Sequence, residues 1–467
     1  MFRPSILDNS LVRPTSSLAS LLQADFWGVP LSHSGSHKSY RPLTSLSFKL
    51  NWSLTGPDPY YFHLTNVLLH GLVTLLLIAL VNSMSAKARL GELTGLIFSV
   101  LPVHSEAVAG VVGRADVLAT LLSLLTITFH RKYRWTLATP LLATLAMLAK
   151  EQGVTVLAVC CLLDLTNTRL SYRQVKSSLV RTILSLIIIL SIRAIFLSGQ
   201  LPSFSRADNP ASHSSSLLTR SLTFLYLPVF SFMLVVCPST LSYDWSMDSI
   251  PLLTSLSDTR NILSLSFYSL LLCFTSKLLL KFYQFATTGS VRLCSLSLWK
   301  TNLSKTWSSG SSSNTPSPSR QVRTSQIEEL TIISLALSLI ILPFLPATNI
   351  FFYVGLVVAE RLLYLPSLGY SLLLALGVRK ISNYLPSLSR LCLVIMLMSA
   401  GLRTIARNTD WQNEETLFKS GLTVNPAKSF SNLGNILYAK GQVEDSEIVF
   451  KEALRRRPNM ADTHYNL

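Results

Sequence analysis

Apolar runs of about twenty residues recur along this chain, and they limit its fold more than any other feature of the sequence. A helix of that length crosses a hydrocarbon core of about 30 Å. Lipid offers the backbone no hydrogen bonds, so a spanning segment must satisfy its own polar groups, which a helix does. The sequence therefore predicts an all-α, polytopic helical membrane protein with apolar segments at 64–83, 92–102 continuing to 112–129, 135–149, 153–166, 178–198, 221–237, 262–283, 328–347, 351–378 and 390–403.

The low charge content and the placement of the charges support the same class. Only 13% of the residues are charged, which is about half the usual share of a soluble domain, and the formal net charge is +17. Basic residues gather in short connections, as at 131–134, and no acidic residue lies between Asp258 and Glu328. Cytosolic loops show this pattern under the positive-inside rule, so we expect no nucleic-acid partner.

Assigning the basic connections to the cytosol divides the chain into three parts. Residues 1–62 become a first luminal loop, 63–403 a multi-span domain with a basic, Ser-rich cytosolic loop at 285–327, and 410–467 a luminal tail. A single crossing at 221–237 would reverse the membrane orientation of all later segments. We therefore expect that segment to re-enter the membrane from the luminal side or to pair with a weak span. No apolar helix precedes the first luminal loop, and we expect an upstream helix to be missing from this sequence.

The tail has the spacing of tetratricopeptide repeats, which are helix-turn-helix units with small and large apolar residues at fixed offsets. The matching positions are Phe430, Leu433, Gly434, Leu437, Ser446, Phe450, Ala453 and Pro458. The preceding segment "WQNEETLFKSGLTVNP" supplies the second helix of an earlier repeat. About three repeats are needed for a stable stack, so we expect the array to be incomplete.

Charged groups interrupt the apolar stretch "LPVHSEAVAGVVGRADVLATLL", which holds His104, Glu106, Arg114 and Asp116. An ionisable residue at membrane depth is costly, so it usually faces a cavity or a partner. A Glu106–Arg114 or an Arg114–Asp116 pair that satisfies a kinked helix is one explanation. The other is a functional site, because further charged residues share the predicted luminal boundary: Arg41, Lys150, Glu151, Asp244, Glu360 and Arg361.

The chemistry of this boundary suits a lipid-linked phosphate substrate. Cations bind phosphate oxygens, and a carboxylate can take a proton from an acceptor hydroxyl. We expect Glu106 and Asp116 to be catalytic, and we expect the substrate to be bound by Arg41, His104, Arg114, Lys150, Glu360 and Arg361. The six cysteines show no metal-ligand spacing, so we predict no cofactor and no metal site, and any metal requirement stays open.

Several long motifs are similar to those of a known family. The segments "SHKSYRPLTSLSF", "FHLTNVLLH", "LPVHSEAVAGVVGRAD", "AKEQGVTV", "LSYDWSMDSIPL" and "FLPATNIFFYVGLVVAERLLYLPSLGY" resemble the transmembrane and tetratricopeptide-repeat-containing protein family, over nearly the whole chain. The resemblance implies a C-type membrane glycosyltransferase of the endoplasmic reticulum, an inverting enzyme that transfers mannose from dolichyl phosphate mannose to Ser or Thr hydroxyls. It also implies that cadherin-type domains are acceptors and that the luminal repeats recruit or orient them.

The sequence of this chain departs from the family's motifs at one place. Family members carry an Asp-Asp pair in the first luminal loop, shortly before a segment that matches "PSILDNSLVRP" here. By that alignment the pair would fall at Met1 and Phe2, so we expect the catalytic base of the family to be absent from this chain. Asp8 aligns with a different position, and we do not expect it to act as the base.

Two other classes of function compete with the enzyme. A non-catalytic scaffold of the endoplasmic reticulum membrane would bind chaperones or a calcium pump through the repeats, with the boundary charges only stabilising the helix bundle. A transporter would show charged groups near the bilayer midplane and internal repeats of the span pattern, and the sequence shows neither clearly.

Overall fold

A computed structural model describes the chain over residues 3–85, 89–134, 136–167, 170–197, 204–287 and 318–467. Regular structure within these residues is helical, apart from an isolated bridge between Ala24 and Pro30. Seven of the described helices are long and apolar enough to cross a membrane. The predicted all-α, polytopic membrane class is therefore confirmed. Most of the predicted cytosolic loop 285–327 lies outside the described residues.

Helices in the first half of the chain begin where a capping residue precedes an apolar run. Asp58 accepts a hydrogen bond from the Tyr60 N–H at the start of one helix, and Ser171 forms a capping box with Gln174 at the start of another. The α-helices of this half are α1 Leu18–Leu21, α2 Pro42–Thr55, α3 Pro59–Met84, α4 Leu90–Ser99, α5 Ser105–Val108, α6 Arg114–Tyr133, α7 Ala138–Ala149, α8 Val156–Thr166 and α9 Tyr172–Phe196.

Proline opens several helices in the second half, because the first helical position needs no backbone N–H donor. The α-helices of this half are α10 Leu217–Val236, α11 Arg260–Thr287, α12 Pro318–Ile341, α13 Pro366–Ser382, α14 Pro386–Asp410, α15 Glu414–Ser420, α16 Pro426–Ala439, α17 Val443–Arg456 and α18 Ala461–Asn466. One short π-helix, Arg3–Leu7, occurs near the N-terminus. The 3-10 helices are Ser10–Val12, Pro102–His104, Val111–Gly113, Glu151–Thr155, Pro210–His213, Leu345–Ala347, Glu360–Leu363 and Gly421–Thr423.

Three of the predicted apolar segments are not complete membrane crossings. α7 and α8, at 135–149 and 153–166, have 12 and 11 residues, which is less than about 20 Å each. The extended backbone of Lys150 and the 3-10 turn Glu151–Thr155 separate α7 from α8. The segment 351–378 is irregular at first and becomes α13 only at Pro366, whose ring cannot continue a preceding helix.

The segment 221–237 lies almost entirely in α10, which is long enough to cross a membrane. The Met247 N–H after α10 donates to the Ala207 carbonyl before it at 2.8 Å. At the C-terminal end of α10, Arg403 of α14 donates to the Pro238 carbonyl at 3.2 Å. The expectation that 221–237 re-enters or pairs with a weak span stays a prediction.

The main hydrophobic core lies between α3, α4, α6, α8, α12 and α13. Large side chains fill it, including the fully buried Leu77, Phe98, Leu124 and Leu368. In contrast, α9 and α14 present exposed apolar side chains outward. Such a surface is typical of helices that face lipid, because a soluble protein rarely exposes long apolar stripes.

The C-terminal helices α16 and α17 pack as an antiparallel pair, which is the arrangement of one tetratricopeptide unit. Phe450 of α17 packs directly over Gly434 of α16, and the Ser446 hydroxyl donates to the Gly434 carbonyl at 2.8 Å. A Cβ at Gly434 would lie 2.5 Å from the Phe450 ring. The two helices can therefore approach this closely only with glycine at that position.

Replacing Gly434 with alanine is expected to destabilise this helix pair by about 1–3 kcal/mol, because overpacking against the buried Phe450 ring outweighs the helix propensity of alanine. Hydrogen exchange of the α16–α17 amides in the full chain measures the effect. Gly401→Ala in α14 is the matched control, since a Cβ there meets no atom within 4 Å. Equal protection in the two variants would show that the pair tolerates the extra methyl.

Candidate functional site

A broken helix carries the charged stretch that interrupts the apolar pattern. After α4 the chain forms the 3-10 turn Pro102–His104, the short α5 and the turn Val111–Gly113 before α6 begins. Gly113 permits this break, because a Cβ there would lie 2.3 Å from the Ala107 carbonyl oxygen. The break places the stretch at the end of the α6 span instead of its middle.

Glu106 of α5 binds Arg361, which the 3-10 turn Glu360–Leu363 presents. Arg361 Nη1 lies 3.2 Å from Glu106 Oε1, and the Arg361 backbone N–H donates to Oε2 at 2.9 Å. Burial raises the pKa of Glu106, and the charge and backbone N–H of Arg361 oppose that shift. The Arg361 side chain remains 26% exposed. Its guanidinium group can therefore meet a further ligand.

Asp116 and Lys150 form a second ion pair, which is buried. Lys150 Nζ binds Asp116 Oδ1, and Gln152 Nε2 donates to the same oxygen at 3.4 Å. Burial lowers the pKa of Lys150 to about 8 against the opposing effect of Asp116, and the positive charges of Arg41 and Arg361 contribute to the lowering. Lys150 thus lies close enough to both guanidinium groups to be affected by their charge.

Arg41, Glu151 and Arg193 form a third cluster next to Lys150. Arg41 Nη2 lies 3.0 Å from Glu151 Oε2, and Arg193 Nη2 lies 3.4 Å from Oε1. Burial alone would raise the pKa of Glu151, but the two arginines lower it to about 2. The Arg41 and Arg193 side chains remain partly exposed, so each is accessible to a ligand from outside.

These clusters form one surface, which we call the charged rim. The charges of its neighbouring members affect one another's pKa values across the clusters. It contains four cations and three carboxylates: Arg41, Lys150, Arg193, Arg361, Glu106, Asp116 and Glu151. Five of the eight residues predicted from the sequence as site residues meet here: Arg41, Glu106, Asp116, Lys150 and Arg361.

Arg114 has a structural role and not the phosphate-binding role that the sequence suggested. Its side chain is fully buried between the rings of Phe48 and Phe62, whose centroids lie 4.5 and 5.4 Å from the guanidinium carbon. It donates to Asn66 Oδ1 at 2.8 Å, to Asn51 Oδ1 at 2.9 Å and to the Phe62 carbonyl at 2.9 Å. Arg114 makes neither of the ion pairs considered for it, and protein acceptors occupy its donors.

The predicted role of His104 as a phosphate ligand is also wrong. Its Nε2 lies 2.7 Å from the Ser367 Oγ, and its ring packs against Phe98 and Tyr364 with centroid distances of 4.5 and 4.7 Å. Burial, reinforced by His70, lowers its pKa well below the ordinary 6.5. The ring is therefore neutral at pH 7 and brings no positive charge to a phosphate.

Glu360 binds the loop at residues 238–250, so its predicted role in substrate binding is also wrong. It is fully buried, and its Oε1 accepts from the Ser242 N–H at 2.6 Å and from Trp245 Nε1 at 3.1 Å. Its Oε2 has no partner among the described residues. Burial raises the pKa of Glu360 to about 8, with Arg407 opposing the shift and Glu106 adding to it.

The loop that Glu360 holds, residues 238–250, also binds the repeat tail, and we call it the clamp loop. Asp244 lies 2.7 Å from Lys428 Nζ, and the Tyr243 hydroxyl lies 3.3 Å from the Ser429 Oγ. Burial would raise the pKa of Asp244, but Lys428 and other donors lower it. The α16 helix is thereby attached to the side of the membrane domain that carries the charged rim.

An apolar groove of about 150 Å³ opens between α10, α11, α12 and α13. Its lining includes Phe232, Phe267 and Tyr370, and also Leu363 of the turn that presents Arg361. The groove and the charged rim therefore share the turn Glu360–Leu363.

Sequence reasoning missed Arg193, Tyr364 and Arg407. Arg193 was visible as a lone arginine in the last turn of an apolar span, where an ionisable residue is expected to have a partner. Arg407 is buried near the end of α14 and donates to Asp410 at 2.9 Å. The Tyr364 hydroxyl lies 2.7 Å from His70 Nδ1, a contact between residues far apart in the chain.

Comparisons with known proteins show which family the chain is similar to. A family model described as "Protein O-mannosyl-transferase TMTC, DUF1736" matches residues 198–272, which include the clamp loop. The chain is 41% identical to Protein O-mannosyl-transferase TMTC2 of Homo sapiens, over 99% of this chain and 60% of that protein. It is 37% identical to Protein O-mannosyl-transferase Tmtc1 of Drosophila melanogaster, over 100% of this chain and 60% of that protein. Over nearly its whole length the chain is similar to proteins of the TMTC family.

The match extends to other TMTC proteins. Protein O-mannosyl-transferase TMTC3 of Mus musculus is 35% identical over 99% of this chain and 49% of that protein. The chain thus spans about half to three fifths of the length of these TMTC relatives. No solved structure matches the chain.

Proposed function

We propose that this chain is part of a protein O-mannosyltransferase of the endoplasmic reticulum membrane. The donor is dolichyl phosphate mannose, and the acceptors are Ser or Thr hydroxyls of secretory-pathway proteins such as cadherins. The names of the TMTC relatives support mannosyl transfer to protein. The observation that carries the proposal for this chain is the charged rim, next to an apolar groove that shares the turn Glu360–Leu363 with it.

The charge of the rim suits the donor. Its cations outnumber its carboxylates by one, and the phosphodiester of the donor carries one negative charge. Arg41, Arg193 and Arg361 are partly exposed, and guanidinium groups bind phosphate oxygens through paired N–H donors. The negative charge on the phosphate grows as the sugar leaves. Cations fixed at this place therefore stabilise the transition state more than the bound donor.

The apolar groove suits the lipid portion of the same molecule. Its lining includes Leu363, two residues beyond Arg361. A polyprenyl chain in this groove would place its terminal phosphate beside the rim. One substrate would then occupy both features, which explains why an apolar surface and a cationic surface adjoin at the turn Glu360–Leu363.

The transfer itself needs a proton acceptor. The Ser or Thr oxygen forms a bond to the anomeric carbon of mannose, the bond from that carbon to the phosphate oxygen breaks, and dolichyl phosphate leaves with the electron pair. A carboxylate receives the hydroxyl proton. Of the two predicted carboxylates, Glu106 is the better candidate, because its partner Arg361 is partly exposed and can bind the phosphate as well, whereas Asp116 is bound by the buried Lys150. Met1 and Phe2, where the resemblance places the family's acidic pair, lie outside the described residues.

Replacing Arg361 with glutamine is expected to lower mannosyl transfer about 100-fold, the usual cost of losing one transition-state donor. The assay measures radiolabelled mannose transferred from dolichyl phosphate mannose to a cadherin domain by the reconstituted protein. Arg390→Gln, which removes an exposed arginine at the start of α14, is the control and should leave transfer unchanged. Glu106→Gln is expected to abolish transfer while donor binding persists. Undiminished transfer in both rim variants would refute the assignment of the rim.

The scaffold alternative has one observation in its favour, the attachment of the repeats through the clamp loop. This contact would present the repeat surface in a fixed position to any partner. The same reconstituted protein separates the two functions. Binding of the cadherin domain with no transfer, in a chain that retains all rim residues, would favour the scaffold.

A further inference from the structure

A polar cavity lies at the other end of the helix bundle, lined by the residue that follows α6, by α8 and by the first turns of α9. It has a volume of about 300 Å³, which is room for about ten water molecules. Three of its lining residues are arginines, together with one acid, two serines and a glutamine: Arg134, Arg173, Arg181, Asp164, Ser177, Ser178 and Gln174. We propose that this cavity binds the phosphorylated headgroup of an anionic membrane lipid.

The single acid of the cavity, Asp164, does not pair with Arg134 or Arg173. Asp164 Oδ2 accepts from Ser178 Oγ and lies 3.0 Å from His130 Nε2, so its carboxylate is already committed to the cavity wall. In the described part of the chain, the side chains of Arg134 and Arg173 make no hydrogen bond or ion pair. Cations gathered around one cavity repel each other, and an anionic ligand would remove that repulsion.

The backbone adds to the positive potential of the cavity. Arg173 and Gln174 belong to the first turn of α9, a helix of 25 residues whose N-terminal end carries a partial positive charge. This helix end only supplements the arginines, and the cavity beside α8 and α9 supplies the space that a ligand requires.

The position of the cavity points to a lipid as the source of the phosphate. Arg173 and Arg193 are twenty positions apart on α9, so the cavity and the charged rim are separated by about 30 Å. This distance matches the thickness of a hydrocarbon core. With the rim at one membrane boundary, the cavity lies at the headgroup level of the opposite boundary, which the sequence assigns to the cytosol. Basic pockets between spanning helices on that side bind anionic headgroups.

The test compares retained lipid in the purified full chain by native mass spectrometry. The protein is reconstituted in nanodiscs of phosphatidylcholine, with or without phosphatidylinositol 4-phosphate. The double variant Arg134→Gln with Arg173→Gln is expected to retain about tenfold less of the phosphorylated lipid. The control double variant, Lys380→Gln with Arg390→Gln, removes two exposed charges at the same boundary outside the cavity and should retain it normally.

Three results would overturn the proposal. Equal loss in both double variants would mean that the lipid follows general surface charge. No retention by the unaltered protein would mean that the cavity does not bind it. In phosphatidylcholine nanodiscs, stabilisation by inorganic phosphate that depends on Arg134 and Arg173, without preference for the phosphorylated lipid, would assign the cavity to a soluble anion. Mannosyl transfer is measured separately, because failure of the cavity proposal leaves the rim unaffected.

Discussion

Replacing Arg114 with methionine is expected to lower the free energy of unfolding by about 3–5 kcal/mol. The side chain is fully buried, and its removal takes away the hydrogen bonds that it donates to Asn66 Oδ1, Asn51 Oδ1 and the Phe62 carbonyl. Methionine fills part of the volume between Phe48 and Phe62 but donates no hydrogen bond. A buried acceptor that loses its donor costs about 1–3 kcal/mol, and the other two lost hydrogen bonds add to this cost.

Thermal unfolding of the chain in nanodiscs, followed by tryptophan fluorescence, measures this loss. Arg390→Met is the control for a change in charge, because Arg390 is exposed. Arg114→Lys should be nearly as destabilising as Arg114→Met, since one ammonium group cannot reach acceptors that the planar guanidinium fork joins. An Arg114→Met protein of normal stability that no longer binds the donor would restore the phosphate-binding role first suggested by the sequence.

Replacing Glu360 with glutamine is expected to stabilise the protein at alkaline pH and to leave it nearly unchanged at acidic pH. The folded-state pKa of Glu360 is raised to about 8 from an ordinary 4.5. Between these two values the folded chain holds a proton that the unfolded chain has released, so stability falls as the pH rises through this window. The full loss above pH 8 is at most about 5 kcal/mol. Glutamine keeps an acceptor oxygen for Ser242 and Trp245 but cannot ionise.

Unfolding temperatures of the unaltered and Glu360→Gln proteins across this pH range provide the measurement. The two curves should meet below pH 4.5 and separate steadily up to pH 8. Glu447→Gln, at an exposed pair on α17, changes the same charge and should give no separation. Lower stability of Glu360→Gln at alkaline pH would mean that the carboxylate is ionised and stabilised by Arg407 in the folded protein.

The sequence was informative about membrane class and about which charges share a boundary. Runs such as 64–83 predict a helix by length alone, and the structure has α3 there. Arg41, Lys150 and Arg361 each interrupt or border an apolar run, so the cost of burying charge in lipid predicts that they share a boundary. The structure brings the three together in the charged rim.

The roles of individual residues could not be predicted from the local sequence. Arg114 and Arg361 are both arginines at the edge of apolar segments, yet one is enclosed by Phe48 and Phe62 and the other is 26% exposed. The difference arises from contacts between α2, α3 and α6, which are distant in sequence. Likewise, nothing in the local sequence of Glu360 indicates that it binds a loop more than one hundred residues earlier.

The clamp loop has a consequence for the geometry of the tail. In solenoid proteins each unit touches only its neighbours, so the direction of the whole array is inherited from its first unit. In this chain the α16–α17 pair is attached through Lys428 and Ser429 to the clamp loop, and Trp245 of that loop donates a hydrogen bond to Glu360 of the helix bundle. The direction of any further unit stacked on α18 would be set by this contact, so a small change in its angle would displace a distant unit by a large distance. The contacts of Lys428 and Ser429 therefore set the direction in which such an array extends from the membrane domain.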